Sequence, residues 1–338
     1  MLTIHRLSPE CGEKFGGIYG RFMQCAKEDY YQEHELLPFH EIMVTIAQKH
    51  LDGYLVLDDN LEDPVGFMLF RYEEHRAIEI NVIYSETENA KSFLGVLMPR
   101  FIADSLIRED WDVVSYAMLG KQAEFIRTIL WYKFLPVGQA HLALDFTDAI
   151  SIQIFQKQFP LSPDDGNTYR VTAWQPDYLE AVSSIVYASF SKAVDANWDP
   201  RFRTENGATS VVNTIVSGQF GEFAHDCTGV LLKNELPIGV CFVIHANFTA
   251  GNIPLIGLLP EESGKGLGNL LIHETIKTTI QQMIKEENSF LKITATTDTD
   301  NIAAIKMYRR MGFTELHNYP HVYLPRERAK LFTPGKWH

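Results

Sequence analysis

Three glycines stand at alternate positions in Pro260-Glu-Glu-Ser263-Gly264-Lys265-Gly266-Leu267-Gly268-Asn269, between an apolar run and a segment of helical spacing. Glycine admits positive φ and lets a backbone approach a ligand closely, and the first N–H groups of a helix have no partner inside it. A loop of this kind is a nest for phosphate oxygens, reinforced by the helix dipole and by the charge of Lys265. Spacing narrows the ligand. A Walker loop needs glycine at position 259 and Ser or Thr at 266, where Leu259 and Gly266 stand. A dinucleotide fingerprint opening at Gly264 or Gly266 needs glycine at 269 or 271, where Asn269 and Leu271 stand. Both are excluded, and taken alone the loop also reads as a structural turn before a helix. A second motif follows, Asn301-x-x-Ala304-x-x-x-Tyr308-x-x-x-Gly312-Phe313. By itself it reads as an amphipathic helix with a core tyrosine and an N-cap asparagine.

The elements around these residues form an α/β unit. Asn252 to Pro260 is a short apolar run with the look of a buried central strand, and Ile272, Ile276, Ile280 and Ile284 give the following helix an apolar stripe. Upstream lie a strand at Tyr169 to Ala173, helices near Leu179 to Phe190 and Gly207 to Val216, and strands near Thr228 to Lys233 and Ile238 to His245. These last two are joined by the turn Asn234-Glu-Leu-Pro237, and a further strand runs from Ser289 to Thr296. The plan is written twice. At an offset of 176 positions, Arg76 to Tyr84 faces Asn252 to Pro260, Gly53-Tyr-Leu-Val faces Gly229-Val-Leu-Leu, and Tyr132 faces Tyr308. The Pro- and Gly-bearing stretch Gln156 to Thr168 reads as a linker, so domains are expected at 1–158 and 166–325.

A chain of 338 residues with 46% hydrophobic residues can fill two cores. Net charge is −13, with 14 basic and 24 acidic residues before Pro160 against 16 and 19 after it. Such a surface repels nucleic acid and mildly favours cationic acceptors such as amines. No apolar run reaches membrane-spanning length and no secretory leader is evident, so no membrane partner and a cytoplasmic setting are expected. Cys11, Cys25, Cys227 and Cys241 lack zinc-site spacing and disulfide density, and no metal is expected.

Together the two motifs resemble the GNAT (GCN5-related N-acetyltransferase) superfamily. Its pattern of hydrophobic-x-Pro-x-x-Arg/Gln-Gly-x-Gly-x-Gly is seen here from Leu258 to Gly268, and its later Asn-x-x-Ala-x-x-x-Tyr-x-x-x-Gly-Phe is matched at every named position, over roughly Tyr169 to Leu324. The resemblance implies two tandem GNAT-like domains, each a mixed, mostly antiparallel central sheet flanked by helices. It also implies transfer of the acyl group from acetyl-CoA, or another acyl-CoA, to a primary amine of a small molecule or peptide. The implied CoA-binding residues are Leu258, Leu259, Ser263, Gly264, Lys265, Gly266, Leu267, Gly268, Asn269, Asn301 and Tyr308. Tyr308 is also the implied acid toward the departing thiolate, a main-chain N–H on the strand being the implied oxyanion donor. Ser263 replaces the usual Arg or Gln, so reduced affinity is expected rather than loss of binding. For the amine's proton the nameable bases are Glu222, His225 and His245, or water. In the first half Glu88, Ala90, Ser92, Phe125 and Pro136 replace Gly264, Gly266, Gly268, Asn301 and Gly312 at the shared offset, so that copy is expected to be degenerate. The rival readings are a non-catalytic acyl-CoA sensor and a purely structural protein. Acceptor choice is assigned to the variable region Ser191 to Gln219, and a homodimer is compatible with all of these readings.

Overall fold

A computed structural model describes residues 1–30, 37–59, 63–87, 89–146, 165–247, 250–286 and 291–332. Its contacts divide into two units, one of Met1–Gly138, Asn197–Pro200 and Tyr319–His338, the other of Gln139–Ala196 and Arg201–Asn318.

The first unit runs β1 (Leu2–Arg6), α1 (Gly12–Asp29), α2 (Phe39–Ala47), β2 (Asp52–Asp58), β3 (Pro64–Tyr72), β4 (Ala77–Ser85), α3 (Ala90–Ile107), β5 (Val113–Ala117) and α4 (Ile126–Trp131). Strands β1 to β4 form an antiparallel meander, and β4 pairs β5 in parallel from Ala77↔Val113 to Ile80↔Tyr116. Alternate side chains fill two cores, Phe15, Phe22 and Phe67 on one face and Phe70, Phe93 and Phe101 on the other.

The chain continues through β6 (Leu135–Asp145), β7 (Tyr169–Ala173), α5 (Leu179–Phe190), α6 (Glu205–Val216), β8 (Glu222–Phe223), β9 (Gly229–Lys233), β10 (Leu236–Cys241), β11 (Ile244–Asn247), β12 (Ala250–Ile253) and β13 (Ile256–Leu258). It closes with α7 (Leu267–Glu286), β14 (Lys292–Asp298), α8 (Ile302–Arg310), β15 (Thr314–Pro325) and α9 (Arg326–Ala329). Ile272 and Ile276 on α7 are fully buried, each worth about 1.5–3 kcal/mol of burial, and Ile280 packs beside them. The side chain of Ile284 lies outside those described. The hairpin between β9 and β10 turns on two residues, Asn234 and Glu235, both at positive φ, rather than on four.

The expected strand Asn252 to Pro260 is broken. The ribbon of β10–β11 against β12–β13 bends at Phe242-Val243 and Pro254-Leu255. Beyond the bend β13 pairs, among the described residues, only β10, in the order β13-β10-β9-β7, whereas β12 pairs β11 and, in parallel, β14. Pro254 has no N–H to extend the β14 ladder.

The units differ from a linear cut of the chain. Residues Gln139 to Asp145 of β6 pair Asp298 to Lys292 of β14 in the second unit, and His321 to Pro325 of β15 pair Ala117 to Val113 of β5 in the first. Each half thus lends a strand to the other unit, satisfying edge N–H and C=O groups that would otherwise lie unpaired. Of the expected linker Gln156 to Thr168, residues 156–164 lie outside the described residues.

Candidate active site

After its last pair with β12, Ile253↔Ala295, strand β14 runs on through Thr296, Thr297 and Asp298 with, among the described residues, only β6 beside it. The opening between this stretch and β13 is a cleft of about 660 Å³, lined by residues of the second unit alone. Leu259 N–H donates to Ile238 O and Phe242 N–H to Leu255 O, each at 2.9–3.0 Å. By strand alternation this turns the main-chain groups of Ile256 and Leu258 toward the open edge. The Leu258 carbonyl accepts a hydrogen bond from Ser189 Oγ at 2.8 Å.

The glycine loop closes one end. Gly264 and Gly266 have φ of +78° and +81°, and a Cβ built on either meets nothing within 4 Å. No protein acceptor is found among the described residues for the N–H groups of Gly264, Lys265, Gly266, Leu267 and Gly268; the first α7 donor that is satisfied is Asn269 N–H, on Gly266 O at 3.0 Å. Asn269 lines the cleft with its side-chain oxygen buried and unpartnered, an arrangement that costs free energy until a donor arrives. Five open donors and two cradle glycines fit a diphosphate.

The residues named from the sequence divide. Leu258, Ser263, Gly264, Gly266, Gly268, Asn269, Asn301 and Tyr308 line the cleft. Leu259, Lys265 and Leu267 do not: Leu267 is buried in the core, Leu259 packs against it, and the Lys265 ammonium sits 2.8 Å from Glu262. Glu262 also takes Lys233 at 2.7 Å, and the two lysines hold its carboxyl below the ordinary value. Lys265 is therefore partly committed within the protein. Asn301 caps α8 by accepting from Ala304 N–H at 3.1 Å. Tyr308 is buried against Phe313, ring centroids 5.1 Å apart, and burial, with the nearby Cys241 second, raises its hydroxyl pKa well above the ordinary tyrosine value. Glu222, His225 and His245 do not line the cleft.

Several cleft residues were not anticipated. Lys306 and Arg310, one helical turn apart on α8, bring two cations with no carboxylate partner among the described residues. Their spacing from Tyr308 on a helix was a usable signal. Gln139 donates to Asp298 at 2.5 Å, and burial holds the Asp298 carboxyl above its usual range. Nothing in the sequence links residues so far apart. Ser189 and Asp195 enter from α5 and the segment after it.

In the first unit the corresponding opening is filled. Beyond Ile80↔Tyr116 the Gln122 side chain, fully buried, accepts from Ile83 N–H at 2.9 Å and from the Tyr116 hydroxyl at 2.7 Å, and donates to Leu119 O at 3.2 Å. Glu88 lies outside the described residues.

Among the described residues no His, Cys, Asp and Glu group could hold a metal ion, and no helix is long and apolar enough to cross a membrane. No curated protein matches the chain in sequence. Residues 194–313 match the model of the acetyltransferase (GNAT) family. The fold is similar to a GCN5-related N-acetyltransferase from Sphaerobacter thermophilus, with a TM-score of 0.58 and 14% identity over 96% of each chain. It is similar also to a tandem GNAT protein from the clavulanic acid biosynthesis pathway, with a TM-score of 0.53 and 13% identity over 96% of this chain and 99% of that one. A third likeness is to a GCN5-related glucosamine N-acetyltransferase region of a fungal multi-domain GH3 β-N-acetylglucosaminidase, with a TM-score of 0.59 and 11% identity over 96% of this chain and 38% of that one. Residues 194–313 thus match the acetyltransferase (GNAT) family model, within a chain whose fold is that of two tandem GNAT-like domains.

Proposed function

We propose that the second unit is an acetyl-CoA-dependent N-acetyltransferase acting on a primary amine of a small molecule or peptide. One observation carries this reading: the open edge of β13, the glycine loop with its free donors and the Tyr308 phenol all front one cleft. A bound acyl thioester supplies an activated carbonyl and a good leaving group; the rest is done by the chain. The N–H groups of residues 264–268 hold the diphosphate, while Ile256 and Leu258 offer main-chain groups to the pantetheine amides and to the developing oxyanion. Lys306 and Arg310 supply the charge that Ser263 lacks and that Lys265 shares with Glu262. Tyr308 protonates the leaving sulfur, and its raised pKa keeps it a donor throughout the physiological range. Leu259, Lys265 and Leu267 shape the loop from behind it.

The first half, 1–158, is in this reading a degenerate copy, and 166–325 the catalytic one; Gln122 holding the Ile83 N–H supports the assignment. The acidic balance favours a cationic acceptor over nucleic acid. The four free cysteines agree with a reducing, cytoplasmic setting. Calorimetric titration of the full chain with CoA, followed by thiol release from acetyl-CoA across a panel of primary amines, tests the reading. Saturable binding of one CoA per chain and amine-dependent release are expected; absence of binding at millimolar CoA refutes the site.

A further inference from the structure

We infer that the acceptor's proton leaves through Thr296 to His141, a residue that the first half of the chain contributes to the second unit's site. This rests on the transferase reading above. Thr296 is the first residue of β14 beyond the point where β12 departs, it is exposed, and it lines the cleft. His141 stands directly opposite it on β6, its Nδ1 3.1 Å from Thr296 Oγ1, and the His317 ring from β15 lies against His141 with centroids 4.9 Å apart. On β14, Thr296 alternates with Ile293 and Ala295, which are buried in the same core as Tyr308. The relay therefore lies on the face of the strand opposite the leaving-group acid, where a nucleophile can be deprotonated without competing for the phenol.

Asp298 is the other basic group on this face, but it sits two residue pairs farther from the divergence and is engaged by Gln139. The titratable and charged groups on the strands beside His141 include His317 on β15, Lys292 and Asp145 four pairs along, and Glu315, which is paired with Arg309; Asp195 lines the same cleft as Thr296. In the step, one N–H bond of the acceptor ammonium breaks and its proton passes to Thr296 Oγ as the threonine proton passes to His141 Nδ1. The freed nitrogen pair forms the C–N bond and the C–S bond breaks. The second amine proton ends on the sulfur through Tyr308, and the His141 imidazolium returns its proton to solvent.

The test uses the full chain with acetyl-CoA and the amine panel, comparing wild type with His141→Gln, Thr296→Val and His317→Asn. A fall in kcat/KM of about 10²-fold is expected for the first two, with CoA affinity unchanged. The acid limb of the wild-type pH profile should disappear in His141→Gln. NMR of histidine-labelled protein gives a readout that needs no acceptor: saturating acetyl-CoA should move the His141 ring signal, and Thr296→Val should shift its titration midpoint. A signal indifferent to both overturns the relay, as does a His141→Gln enzyme that keeps its rate and its acid limb. A wild type that binds CoA but releases no thiol with any amine overturns the transferase reading, and the relay falls with it.

Discussion

Tyr308→Phe separates a catalytic phenol from a core tyrosine. The ring is buried in the apolar core of the second unit, packed against Phe313, and its hydroxyl has no hydrogen-bond partner among the described residues although the residue lines the cleft. Phenylalanine preserves the ring and removes only that hydroxyl. A structural hydroxyl with a buried partner would cost about 1 kcal/mol on removal, whereas an unpartnered one costs little and can even stabilise when lost. Unfolding free energy should therefore change by less than about 0.5 kcal/mol. Turnover should behave differently, because a hydrogen bond to a charged group is worth about 1.5–3 kcal/mol, which at the developing thiolate is about 10- to 150-fold in kcat. Chemical denaturation, CoA titration and thiol release on the same preparation give the three readouts. Unchanged stability, unchanged CoA affinity and reduced kcat are expected. A variant destabilised by more than about 1 kcal/mol with an intact kcat would mean that the hydroxyl serves the fold and that another group protonates the sulfur.

Gly266→Ala places a left-handed backbone under a Cβ that meets no neighbour, so it should cost about 1–2 kcal/mol of stability and abolish measurable CoA binding. Gly268→Ala, whose Cβ meets Met307 at an ordinary 3.5 Å, should leave the fold intact in the same melting assay. Lys306→Ala combined with Arg310→Ala should weaken CoA by about tenfold and flatten the salt dependence of binding, while titration with dephospho-CoA reports whether the pair faces the 3′-phosphate or the diphosphate. In the first unit His321 lies under the Trp198 ring with its Nε2 2.8 Å from Ser115 Oγ, and burial pushes its pKa down to about 4. A histidine held neutral in the fold contributes its full stability above the unfolded value of about 6.5 and loses it as pH falls toward 4, an effect of at most about 3 kcal/mol. Denaturation midpoints across that window should fall in wild type and stay flatter in His321→Gln.

What could be read from the sequence was local. The glycine spacing of 264–268, the Asn301 cap and the Tyr308 position are short-range patterns whose backbone consequences are steric, and the structure realises them as positive φ, open donors and a capped helix. The strand at Tyr169 to Ala173 and the helix at Leu179 to Phe190 followed from periodicity for the same reason. The break in the 252–260 run was half-legible, since Pro254 announced a lost donor but not which sheet each part would join. The rest depended on which strand lies beside which. That Gln139 and His141 stand against Asp298 and Thr296, and that the C-terminal strand completes the first unit, are pairings across more than 150 residues. Apolar strands resemble one another, so nothing local selects the partner; the choice is made by the whole set of edges and cores that must be satisfied together.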